Sequence, residues 1–152
     1  MASTDYDIST LNSLIATTID SIDGYTESAR DIESTRLGTI FTQRAGERRQ
    51  VASKLQAEVV RLGGTAEDDG TVLAAAHRRF VDLKSVVTGQ DDKAIINEVE
   101  RGEDHIKEKF EAALADTELS PATRNVIQQA YTSVRQGHDQ IRDLKKGMEA
   151  SA

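Results

Sequence analysis

One hydrophobic period governs nearly the whole chain. From about Ile8 to Met148, apolar residues recur three and four positions apart, the spacing of one face of an α-helix. The first such stretch, about 8–33, carries Leu11, Leu14, Ile15, Ile19, Ile22, Tyr25, Ala29 and Ile32 on one side. Asp20 and Glu27 fall on the other and are expected in water. A second stretch, 35–63, carries Leu37, Phe41, Val51, Leu55, Val59 and Leu62, with Ser34 or Thr35 as its cap and Gly63-Gly64 as its stop. A third, 91–116, aligns Ile95, Val99, Gly102, Ile106, Phe110 and Ala113, with Asp91 or Asp92 as cap. The fourth, 121–148, aligns Ile127, Ala130, Val134, Ile141 and Leu144 behind Ser120-Pro121, a capping serine before a first-turn proline.

The four stretches are nearly equal in length. At about 25 residues and 1.5 Å per residue each spans about 37 Å, which predicts an all-α four-helix bundle. A shorter helix over 71–88, with Leu73, Ala76, Phe80, Leu83 and Val87 on its face, is expected between the second and third. It either runs back along the bundle as a crossover or lies across one end. Its apolar face needs a long groove and favours the first. No strand is expected. Residues 1–152 read as one domain, ordered over about 8–148, and a chain of this length buries roughly 70% of its unfolded surface.

Composition narrows the chemistry. There is no cysteine, which removes disulfides, thiolate metal sites and thiol catalysis. Against 26 acidic residues stand 19 basic ones, a net charge of −7, so neither nucleic acid nor an anionic membrane is an expected partner. No apolar run approaches the roughly 20 residues of a spanning helix, and the start lacks the pattern of a signal peptide, so the expected setting is cytoplasmic.

An ordered set of short motifs runs through the chain: Leu55 to Gly64, His77-Arg78, Leu83-Lys84, Gly89 to Ala94, Glu98 to Asp104, and His138-Asp139. In these the chain resembles a bacterial family of four-helix-bundle proteins of unknown function in the ferritin-like superfamily, over about residues 8–147. The resemblance implies a ferritin-like bundle and carries no activity with it. The habits of ferritin-like proteins suggest a stress-associated role, and iron or another divalent metal as the alternative cofactor.

A ferritin-like di-iron site takes one glutamate from each of two helices and a Glu-x-x-His pair from each of the other two. That spacing is absent. Three places before His77, His105 and His138 stand Ala74, Gly102 and Arg135. The second helix puts Arg44 and Arg48 on its inner face, where a cation cannot coordinate a metal. Counting from the turns brings Arg48, Glu103 and His138 to a common level near mid-bundle, roughly 20–26 Å from the ends. A buried polar network of Arg48, Glu103, His138 and Arg44 is therefore expected, since a buried arginine needs a carboxylate. Glu103 and His138 are the weak candidates for a degenerate metal site. Tyr25 and Tyr131 are expected to fill core and keep their hydroxyls at its edge. Gly102 and Gly137 are expected where helices approach closely. No catalytic residue and no cofactor is expected. The chain reads as a structural or interaction protein, with a homo-oligomer or an unidentified protein as partner, rather than an enzyme. The rival reading is a ferritin-type oxidase or iron-binding protein.

Overall fold

The computed structural model describes residues 4–70 and 92–151. Four helices account for nearly all of them: α1 (Thr4–Asp31), α2 (Thr35–Arg61), α3 (Asp92–Ala115) and α4 (Pro121–Ser151). No strand occurs among the described residues. The helix expected over 71–88 lies outside them.

Short connections make α1 antiparallel to α2 and α3 antiparallel to α4. The ends of the helices fix the rest. Asp7 on α1 and Glu58 on α2 both reach Thr123 in the first turn of α4, while Asp92 at the start of α3 reaches the α1–α2 turn. The chain therefore leaves α2 at one end of the bundle and enters α3 at the other. This is the polarity that a long crossover gives, and α2 and α3 run parallel. The described part of the connection already heads that way along α1. Gly64 packs against Ile8, the Asn12 side chain binds the Thr65 carbonyl and the Glu67 N–H, and Gly70 abuts Asp20. Asp20 and Glu27 are half-buried, contrary to the expectation of a fully solvated face.

Local chemistry sets the helix ends. Ser34 Oγ accepts the Leu37 N–H at 3.2 Å and opens α2. At the other end Gly63, at φ +86°, turns the chain so that its N–H reaches the Val60 carbonyl and that of Gly64 reaches Val59. That left-handed position favours glycine, which has no Cβ to clash. Asp92 is the first residue of α3 and reaches a distant segment of the chain. Its carboxylate accepts the Glu33 and Ser34 N–H groups at 2.9 and 3.1 Å, clipping α3 to the first turn.

α1 begins earlier than the apolar period suggests, at Thr4, and its first turns hold a buried acid. Asp7 accepts the Ser120 N–H at 3.2 Å, the Ser120 hydroxyl at 2.6 Å and the Thr123 hydroxyl at 3.2 Å. The cap of α4 thus comes from another helix, and the Ser120 hydroxyl donates to it. A carboxylate at a helix N-terminus satisfies orphan donors and opposes the positive end of the helix dipole.

The core falls into two apolar clusters. One holds Leu11, Leu14, Ile15, Val51, Leu55, Val59, Ile106, Phe110, Ile127, Ala130 and Val134. The other holds Tyr25, Ile32, Leu37, Phe41, Ala45, Ile96, Val99 and Ile141. Between them lies a polar layer. Because Asp7 is buried and holds three donors, Asp7→Ala is expected to lose about 1–3 kcal/mol of stability in chemical denaturation. The exposed Glu108→Ala should change it by less than about 0.5 kcal/mol.

Candidate functional site at mid-bundle

The polar layer is built from the inner face of α2. Arg48 lies on that face between Phe41, Val51 and Leu55, so its head group enters the bundle. It is fully buried, at 0% exposure, and Glu103 on α3 is 1% exposed. Arg48 Nη2 donates to Glu103 Oε2 at 2.8 Å, and Nη1 donates to Ser21 Oγ on α1 at 2.8 Å. A longer contact of 3.4 Å joins Nη2 to the Val134 carbonyl on α4. The other three helices thus all touch a guanidinium carried by α2. The Tyr25 hydroxyl donates to the second oxygen of Glu103. The Tyr25 ring lies 5.7 Å from Arg48 Cζ, within cation–π range, and 5.8 Å from the Phe41 ring. Arg48 Nε is buried without a hydrogen-bond partner.

Gly137 gives the arginines their room. A Cβ there would collide with Arg48 Nη2 and lie 3.0 Å from Arg44 Cδ. A close approach of α4 over these side chains requires glycine. Gly102 differs from expectation: it is exposed, with open space around it. Arg44, one turn before Arg48, sits at the edge of the layer. It donates to Gln140 Oε1 through Nη2 at 2.7 Å and Nε at 3.2 Å, and pairs with Glu47.

His138 is placed elsewhere. Its side chain is 15% exposed, its Nε2 lies 2.8 Å from Asp104 and its Nδ1 lies 3.2 Å from Asp139. It bridges α3 to α4 at the surface and does not join Arg48 and Glu103. The reason is angular. His138 follows Gly137, and Asp104 follows Glu103, each turned by about 100° away from the interior. Asp139 is held below its usual carboxylate range, first by its hydrogen bond from His138 and then by Arg142.

Two residues of the layer, Tyr25 and Ser21, are not among those that the sequence places there. Tyr25 is not merely core filling, because its hydroxyl is buried on Glu103. Ser21 lies one turn before it. Their spacing of four on an apolar face is the signal that the layer extends onto α1. Tyr131 does keep its hydroxyl at an edge, donating to Glu111 at 2.6 Å.

Electrostatics follow from burial. Burial is the largest single influence on the Arg48 guanidinium and pulls it down, but Glu103, Tyr25 and Glu47 together outweigh it and the net shift is upward. Burial and then the Glu103 charge push the Tyr25 phenol well above its ordinary 10.0, against a smaller opposing pull from Arg48. A raised phenol keeps its proton in the fold after the unfolded chain has lost it. Its contribution is therefore complete below pH 10.0 and lost as pH climbs toward the folded value. Stability should fall on the alkaline side, and spectrophotometric titration should show Tyr25 ionising only with unfolding. Removing one charge of the pair strands the other in the core. Glu103→Gln is expected to cost about 3–5 kcal/mol by denaturation. The double change Arg48→Met with Glu103→Leu should be close to neutral.

Residues 7–116 match the model of a family described as Domain of unknown function (DUF2383). No curated protein matches. Among solved structures, the chain is similar to a dodecameric thioferritin, the bacterioferritin-related protein from Bacteroides fragilis, with a TM-score of 0.76 at 13% identity. The match covers 98% of this chain and 89% of that one. At that identity the likeness is one of fold, and the fold is the ferritin-like four-helix bundle that the motifs imply.

Proposed function

The chain belongs to the DUF2383 family, and from that premise we propose that it is a structural or interaction protein whose bundle is closed at its middle by an internal ion pair in place of a di-iron centre. The observation that carries this reading is the Arg48 guanidinium, held at mid-bundle against Glu103, Ser21 and Val134. A di-iron centre needs carboxylates and histidines from facing helices, all free to ligate. The mid-bundle set does not fit that demand. Glu103 is already paired with a fixed cation and a phenol, and His138 is engaged with Asp104 and Asp139. Among the described residues, the grouping with metal-like spacing is Glu67, Asp68 and Asp69 in the loop after α2, away from this layer.

The reading includes a cytoplasmic setting, with another protein or a second copy as partner. Its support is physical. No described helix is long and apolar enough to cross a membrane, and a net charge of −7 disfavours phosphate backbones. The similar Bacteroides fragilis protein is a dodecamer, which favours self-assembly as the first form of partnership to test.

Elemental analysis tests the metal half of the reading. Protein purified without chelator or tag, then reconstituted aerobically with ferrous iron and desalted, should retain far less than one iron per chain and should not accelerate ferrous oxidation. About two irons per chain, the stoichiometry of a di-iron centre, would overturn it in favour of a ferritin-type oxidase or iron-binding protein.

A further inference from the structure

The outer side of α2 carries features that neither the core nor the polar layer uses. Val60 is 65% exposed, the most exposed large apolar side chain among the described residues. Arg49 is exposed, and no carboxylate pairs with it among the described residues. Ser53 is exposed and small, and the space above Gly46 is open. At 100° per residue, Gly46, Arg49, Ser53, Gln56 and Val60 fall within about 80° of one another, so they share one face.

An acidic element borders the same face. Gln56 donates to the Glu67 carbonyl at 3.0 Å, and Asn12 accepts the Glu67 N–H at 2.8 Å. These bonds hold Glu67, Asp68 and Asp69 beside the C-terminal part of α2, their carboxylates gathered together. Within one molecule this negative group and Arg49 do not pair. A two-fold axis through Ser53, with two α2 helices antiparallel, brings them together. Position 46 then faces position 60, and the level of Gln56 and its acidic loop faces the level of Arg49. The apolar Val60 meets the open space over glycine, and positive meets negative twice, as an isologous contact requires.

We propose that two copies of this chain pair through their α2 faces, antiparallel about Ser53, with Arg49 of each against the acidic loop of the other and Val60 of each over the other's Gly46. This rests on reading the chain as an interaction protein and names its partner as a second copy. A contact of one helix pair is small and its charges are exposed, so the dimer is weak and salt-sensitive.

The chain has no cysteine, so Ser53→Cys places one thiol at the proposed axis and Glu108→Cys one on exposed α3. Oxidation at low salt should give a disulfide-linked dimer with Ser53→Cys and little with Glu108→Cys. Sedimentation should show a dimer at low salt that dissociates near 1 M, where the Debye length is about 3 Å. Arg49→Glu should weaken it about tenfold or more, and adding Asp68→Lys and Asp69→Lys should restore it. A monomer at every salt concentration would overturn the proposal. So would a dimer indifferent to Arg49→Glu whose Ser53→Cys form does not cross-link, because that dimer uses another face. Iron bound at mid-bundle in a protein that still cross-links through Ser53→Cys would overturn only the metal half of the functional reading.

Discussion

Arg48 and Glu103 take two full charges out of water in the middle of a helical bundle, and the surrounding structure is arranged to hold them. An ion in a low-dielectric interior is costly unless its partner and its remaining hydrogen bonds are in place. Here Ser21 takes one terminal guanidinium nitrogen, Glu103 and the Val134 carbonyl share the other, Tyr25 satisfies the far oxygen of Glu103, and Arg48 Nε alone is left without a partner. Each of these groups comes from a particular level of a particular helix. A slip of α2 or α3 by one turn would separate the pair and leave each charge buried alone, and a slip of α1 would take Ser21 and Tyr25 away from it. The layer therefore fixes register, which the apolar clusters above and below it specify only loosely. Gly137 belongs to the same constraint, since any side chain there would occupy the space of the two arginines.

The bundle ends are tied by carboxylates in a similar way, at lower electrostatic cost. Asp7 binds the first turn of α4, and Asp92 binds the turn between α1 and α2. Both join segments far apart in sequence, one at each end. Together with the central pair they locate the four helices at three levels along the axis. That spacing of polar ties through an otherwise apolar interior explains why a chain with few aromatics and no tryptophan specifies one arrangement.

How much of this is legible in the sequence depends on whether a feature is local. The helices, their caps at Ser34 and Gly63, and their similar lengths follow from periodicity and stop signals, and these are local. Counting from the turns sets Arg48 and Glu103 at one level, and the structure joins them. The same count misplaces His138, because level along the axis says nothing about the 100° that separates it from Gly137. Asp7 carries no local sign of its role, since its three donors lie more than a hundred residues away. Tyr25 and Ser21 read as ordinary members of an apolar stripe. What reveals them is a partner on another helix, and one-dimensional periodicity does not contain it.

The central claim is that an internal guanidinium, not a metal, neutralises the mid-bundle carboxylate. Anomalous diffraction at the iron edge, from crystals soaked in ferrous iron without oxygen, addresses it directly. The account predicts no anomalous peak between α2 and α3, with Arg48 still bonded to Glu103 and Ser21. A strong peak on Glu103, with the Arg48 side chain swung out of the layer, would contradict it.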